Sequence, residues 1–309
     1  MTTAIHAVDI LICGGAGDPN ILCLEAAAEK AGYSFISITH NQMTEPKFTW
    51  DFQKNSIKIN HRTIDAQGAF IRYDVFGGSS PSENELDRSY GWFSACIGLI
   101  SVIPGLRLHN QRMDFRANHK SYILAIAKKH GLSIPRTLIS NCRTEIDDFG
   151  PKDKIVLKPV AGGAYTLTAA ELDTDIPWEN LQAPMPAFVQ EKLDYPEFRI
   201  FRYGDTYMTF EIRSKHLDYR PYGDNTLKRV ENTILGQVNL DALRSMSDEL
   251  SIDFFACDFK TDPVTGEPVF LELNSGPMFA AFDSITDGEL SAGIVAWLCG
   301  KSPSKQLSL

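Results

Sequence analysis

Residues 155–163 read Ile-Val-Leu-Lys-Pro-Val-Ala-Gly-Gly, so an apolar, β-branched run delivers Lys158 and passes at once into a glycine turn. A lone lysine in an apolar strand usually reaches for solvent. Here the glycines let backbone N–H groups approach an anion closely, and an ammonium beside them suits phosphate oxygens. Near the other end, Phe255-Ala256-Cys257-Asp258-Phe259 and Val269-Phe270-Leu271-Glu272-Leu273-Asn274 flank a Pro-Gly turn. Alternation along a strand puts Glu272 and Asn274 on one face, with Asp258 on the neighbouring strand. Two carboxylates and an amide oxygen are hard donors that suit Mg²⁺ bridging phosphates better than zinc or copper. A single acidic residue on a strand is usually a solvated face; the D…E-x-N pattern within an otherwise apolar pair stands apart from that.

The elements that must position these residues follow from periodicity. Val8 to Cys13, then Ile21, Leu24, Ala28 and Ala31 at helical spacing, then Phe35 to Thr39 predict a βαβ beginning. Segments 48–52 and 56–60 predict a hairpin, Ala69 to Tyr73 a buried strand and 83–100 a helix, together a small open α/β domain with a partly parallel sheet. The stretch 118–130 puts Tyr122, Ile123, Ile126 and Ala127 on one helical face, and Gly131 stops it. Strands then dominate, at 154–159, 165–169, 187–191, 198–203 and 206–213, in a mostly antiparallel arrangement. A helix over 239–251, paired strands 254–260 and 268–273, and a closing helix over 286–300 complete the chain.

Other motifs fail on spacing. A dinucleotide fingerprint phased on Gly15 and Gly17 needs Gly or Ala where Asn20 stands, and Gly300-Lys301-Ser302 lacks a P-loop glycine at Val295. The cysteines at 13, 23, 96, 142, 257 and 299 show no metal-binding spacing and are expected as buried thiols of a reducing compartment. A net charge of −9 argues against nucleic acid as a partner, and no apolar run is long enough for a bilayer. The amino terminus has no basic residue before its apolar stretch and reads as a first strand, which leads to the expectation of a cytoplasmic protein without membrane partners.

Taken as an ordered set, these residues resemble the ATP-grasp ligases, in the branch of ribosomal-protein glutamate ligases and graspetide-type macrocyclases. The similarity runs from about residue 104 to 300, and the preceding segment resembles the family's amino-terminal domain. The resemblance implies an α/β (α+β) fold: a pre-ATP-grasp domain over 1–110, a central subdomain with the glycine loop over 111–190, a carboxy-terminal subdomain with the metal site over 191–302, and a flexible tail over 303–309. It implies that Lys120 and Lys158 reach the ATP phosphates beside Gly162 and Gly163, and that Gln190-Glu191-Lys192-Leu193 forms the adenine hinge. Glu197 then sits at the ribose, and Arg199, Arg213 and Arg220 hold the triphosphate or a substrate carboxylate. Asp258, Glu272 and Asn274 match the magnesium ligands, with two Mg²⁺ ions implied and Mn²⁺ as a substitute.

The implied reaction activates a carboxylate as an acyl phosphate and couples it to an amine, with Lys158, Arg213 and Arg220 as catalytic residues and loop 160–165 closing against water. The substrate is expected to be an amino acid or peptide, with Arg72 and Tyr73 as further candidates to meet it, although an arginine on an edge strand in water is the plainer reading of Arg72. A peptide macrocyclase making ester or amide cross-links, a phosphotransferase on the same fold and an ATP-binding regulator without turnover are the alternatives. Related ligases form dimers or tetramers, so a homo-oligomer is compatible with the resemblance.

Overall fold

The computed structural model describes residues 5–40, 46–54, 56–76, 83–101, 103–161, 166–170, 176–219 and 222–301. Gly162, Gly163, Arg220 and the tail 303–309 lie outside the described residues. The chain separates into two compact units, one of residues 1–112, 203–206 and 276–309, the other of 113–202 and 207–275.

The first unit begins β1 (Ile5–Gly15), α1 (Pro19–Lys30), β2 (Phe35–His40), β3 (Phe48–Asp51), β4 (Ser56–Ile59), β5 (Arg62–Ile71), α2 (Glu83–Ile100) and β6 (Arg107–Leu108). The sheet runs β2-β1-β5-β4-β3, with β6 also on β5. β1 is parallel to β2 and β5, and β3–β4 is the expected antiparallel hairpin. Asp18 caps α1 by accepting from the Asn20 N–H at 2.8 Å, and Pro19 opens the helix where its missing donor is harmless. Ile21, Leu24 and Ala28 are buried as their spacing predicts, whereas Ala31 is an exposed cap residue.

The second unit holds α3 (Lys120–Lys129), β7 (Thr137–Cys142), α4 (Arg143–Phe149), β8 (Ile155–Pro159), β9 (Leu167–Thr168), β10 (Gln182–Glu191), β11 (Asp194–Tyr203), β12 (Thr206–Arg213), β13 (Thr226–Val230), α5 (Gln237–Glu249), β14 (Phe254–Thr261) and β15 (Pro268–Asn274). The strands make two sheets, β7-β10-β8-β9 and β13-β12-β11-β14-β15. The pairings β7–β10, β10–β8, β8–β9, β12–β13 and β14–β15 are antiparallel, in keeping with the turn signals. Residues of α3 and α5, among them Ile123, Ile126, Leu243 and Met246, share one core with Phe198, Ile200, Phe259 and Phe270 of the five-stranded sheet. Ile146, Ile155, Leu157 and Val189 form a smaller core on the four-stranded sheet.

Residues 276–301, expected with the carboxy-terminal subdomain, fall in the first unit. There α6 (Ala280–Ser284) and α7 (Glu289–Leu298) close the structure. A side chain at Gly68 on β5 would run into the Leu298 carbonyl, so only glycine permits that approach of strand and helix. Among the described residues no helix is long and apolar enough to cross a membrane. All six cysteines are free thiols; Cys13, Cys96, Cys257 and Cys299 are buried, while Cys23 and Cys142 are half-buried.

Candidate functional site

Alternation on β8 sends Ile155 and Leu157 into the smaller core, and Val156 and Lys158 into a pocket. On β11 the same rule buries Phe198 and Ile200 in the large core and turns Glu197 and Arg199 to the pocket, and on β14 it separates Cys257 and Phe259 from Asp258 and Lys260. The pocket therefore lies within the second unit, between the polar faces of its two sheets.

β15 reaches the same pocket by an irregular route. From Thr261–Pro268 to Phe259–Phe270 its pairing with β14 is regular, and then Asp258 pairs with Glu272, leaving Leu271 as an extra residue. Phe270 and Glu272 would otherwise share a face; the bulge sends Phe270 to the core and Glu272 to the pocket. Asn274, paired with Ala256, follows Glu272 by two residues and is exposed.

Two facing carboxylates repel unless cations sit beside them. Arg199 donates from Nε and Nη2 to the two oxygens of Asp258, each at 2.7 Å, and Lys120 Nζ lies 3.4 Å from Glu272 Oε2. Lys158 is half-buried, and its burial lowers its pKa below the ordinary lysine value; Glu272 and Glu197 oppose that shift, while Lys260 and Lys120 add to it. Glu197, 7% exposed, is pushed up to about 7, first by burial and then by Asp258, against the pull of Lys260, Arg199 and Lys158.

At the end where β10 crosses to β11, Gln190 is buried and donates from Nε2 to Thr137 Oγ1 at 3.0 Å. Glu191 accepts the Arg136 N–H at 2.9 Å, Lys192 donates its N–H to the Lys154 carbonyl at 2.8 Å and Leu193 is buried. Gln190, Glu191 and Leu193 line the pocket; Lys192 is exposed and does not. Thus Lys158, Gln190, Glu191, Leu193, Glu197, Arg199, Asp258 and Glu272 converge on one pocket, with Lys120 at its edge through Glu272.

Other expected residues lie elsewhere. Arg213 is exposed at the end of β12 and donates to Glu211 Oε1 at 2.6 Å, because both project from the same face of that strand. Arg72 belongs to the first unit and is neither on an open edge nor in water. Its Nε donates to the fully buried Asp18 at 2.8 Å, and its Nη1 to the carbonyls of Gly276 and Pro277 at 3.1 and 2.8 Å. Tyr73 packs edge-on against Phe93, with ring centroids 5.8 Å apart.

Lys260, with Asp218 and Tyr219, also lines the pocket wall, although no motif singles it out. Its signal was available, since it shares the strand parity of Asp258.

The two opposed carboxylates are hard donors of the kind an oxygen-preferring divalent cation takes, with Arg199 and Lys120 beside them; Asn274, two residues on, is exposed and is not part of the pocket lining.

This chain has the ATP-grasp fold, as its similarity to solved structures shows. The ATP-grasp ligase PsnB, complexed with a phosphomimetic variant of a minimal precursor, Mg and ADP, superposes with a TM-score of 0.74 at 20% identity, over 95% of this chain and 98% of that one. The macrocyclase MdnC from Microcystis aeruginosa MRC, bound with precursor peptide MdnA, gives 0.69 at 19%, over 95% and 99%. The D-Ala:D-Ser ligase VanG from Enterococcus faecalis gives 0.59 at 16%, over 97% and 99%. No family model and no curated protein sequence matches the chain.

Proposed function

We propose that this protein is an ATP-dependent ligase that converts a carboxylate into an acyl phosphate and joins it to an amine of an amino acid or peptide, releasing ADP and phosphate. The observation that carries the reading is the pairing of Asp258 with Glu272 in a pocket that also receives Lys158 and Glu197. Asp258, Glu272 and Asn274 would hold Mg²⁺, as one ion or two, which supplies charge neutralisation across the phosphate oxygens.

In this reading Lys158 and Lys120 meet the phosphates as point charges, and the backbone and side chains at Gln190–Leu193 meet the adenine. Glu197 can only accept hydrogen bonds when ionised, so among phosphates it serves the hydroxyls of the sugar. The carboxylate oxygen attacks the γ-phosphorus as ADP leaves, and the amine then attacks the acyl carbon as phosphate leaves. The protein contributes position and charge complementarity to both steps. Arg213, turned to Glu211, is given no part in it.

A peptide macrocyclase is the second reading, favoured by the two superposed structures that hold precursor peptides or their variants. One experiment tests both. ADP and phosphate release from Mg·ATP is followed against pools of amino acids, short peptides and hydroxylamine, with mass spectrometry of each mixture. A carboxylate-dependent hydroxamate is the expected result, and loss of water from a peptide without added amine identifies the macrocyclase. AMP release overturns the acyl-phosphate reading, and ATP binding without turnover on any pool favours a regulator.

A further inference from the structure

Lys260 has no place in the motif set, yet it is only 8% exposed and lines the pocket. A buried ammonium is costly unless its donors are used. Here Nζ lies 3.5 Å from Glu197 Oε2, donates to the Leu217 carbonyl at 3.1 Å and sits 4.2 Å from the centroid of the Tyr195 ring. Tyr195 in turn donates its hydroxyl to the neighbouring His216 carbonyl at 2.9 Å. Lys260 and Tyr195 thus grip consecutive carbonyls at the start of the segment whose Leu217, Asp218 and Tyr219 form pocket wall.

Arg199, half-buried in the same pocket, is already committed to both oxygens of Asp258. Glu197 has only Lys260 as an ion-pair partner among the described residues, and no protein donor of theirs hydrogen-bonds its carboxylate. Its acceptor sites are therefore available to a ligand that brings hydroxyl or amine donors, while Lys260 fixes where the carboxylate stands.

We propose that Lys260 is a positioning residue for sugar recognition: by pairing with Glu197 and tethering Leu217, it holds the Glu197 carboxylate against the ribose hydroxyls and so sets the preference for ribonucleotides over 2′-deoxyribonucleotides. The inference rests on the reading above that this pocket takes an adenine nucleotide. A site built to accept from a hydroxyl discriminates strongly against the ligand that lacks it, but only while the acceptor is held in place.

The test is calorimetric titration of the full chain with ADP and 2′-deoxy-ADP in Mg²⁺, which needs no knowledge of the acyl substrate. The wild type is expected to prefer ADP, and Lys260→Met to weaken ADP by roughly tenfold while leaving 2′-deoxy-ADP nearly unchanged. Lys260→Arg should keep most of the preference. Glu197→Gln should remove it, and Lys260→Met added to Glu197→Gln should not change the ratio further. If Lys260→Met does not fold, Lys260→Gln carries the same expectation. A Lys260 variant that weakens both nucleotides equally, or neither, overturns the proposal and leaves the nucleotide reading intact. Absence of ADP binding by the wild type overturns both.

Discussion

Asp258 and Glu272 stand opposite each other because Leu271 is bulged out of the β14–β15 ladder; in a regular ladder Asp258 would pair with Leu271, and Glu272 would turn to the side of Phe270 in the core. The strand pair thereby presents both carboxylates to one pocket. Glu272 retains 34% side-chain exposure and, among the described residues, pairs with Lys120 at 3.4 Å, so its charge contributes little to stability. Glu272→Gln should therefore unfold at nearly the wild-type temperature while Mg·ATP turnover falls by on the order of 10²–10³. Parallel thermal melts and ADP-release assays decide it, and near-normal turnover would sink the metal assignment.

Arg199 poses the opposite case. Its partner Asp258 is 6% exposed, and the bidentate pair is nearly closed to water. Arg199→Met leaves a buried carboxylate without its counter-charge and is expected to cost about 3–5 kcal/mol in urea unfolding. Adding Asp258→Asn should recover a large part of that loss, because it removes the orphaned charge. A single-variant loss under about 1 kcal/mol would mean that water already screens Asp258.

Much of this site was legible in one dimension. The run into Lys158 is a local pattern whose side chains strand alternation places alone; the Gln190–Leu193 crossing is legible only through the family resemblance, and the D…E-x-N pattern marks its residues without fixing their side of the sheet. The bulge at Leu271 was not legible, since alternation without it gives Glu272 and Asn274 the same mutual facing while assigning them to the wrong side of the sheet. Lys260 was passed over because a lysine near a strand end ordinarily reaches solvent, and only the approach of Glu197 and Leu217 from other elements encloses it. β7 and α4 were missed for a simpler reason: every residue of β7 keeps some exposure and α4 has only seven residues, so neither carries a full period of buried positions. The last helix was recognised by its apolar face, but periodicity does not say which partner covers that face, and 276–301 fell in the other unit.

Glu197 predicts a pH dependence. Its folded-state pKa, raised to about 7 from the ordinary 4.5, means that the folded protein holds this proton more tightly than the unfolded chain. The stability it contributes is fully present below about pH 4.5 and is lost as pH rises through about 7. Urea midpoints measured in EDTA at intervals from pH 5 to pH 8.5 should decline over that window for the wild type. They should decline less for Glu197→Gln, which cannot ionise. The difference in slope between the two proteins is the measurement, and equal slopes would place the carboxyl in contact with bulk water.

Arg72 tests the division between recognition and architecture in the first unit. Its guanidinium closes a buried network in which Asp18 Oδ1 accepts from Asn20 while Asn20 Oδ1 accepts the N–H groups of Phe279 and Ala280 at 2.7 and 2.9 Å. Arg72 completes it through Asp18 Oδ2 and the carbonyls of Gly276 and Pro277. Arg72→Met removes the counter-charge of a carboxylate with no exposure and a donor to two carbonyls, so a loss of about 3–5 kcal/mol is expected. Arg72→Lys should recover only part, because a single ammonium does not reproduce the fork that reaches a carboxylate and two carbonyls together. If Arg72 instead held a substrate carboxylate, Arg72→Met would raise KM for that substrate while leaving the urea midpoint nearly unchanged. Measuring KM and unfolding on the same preparations separates the two roles, and the bonds Arg72 already makes predict that the unfolding midpoint is the quantity that moves.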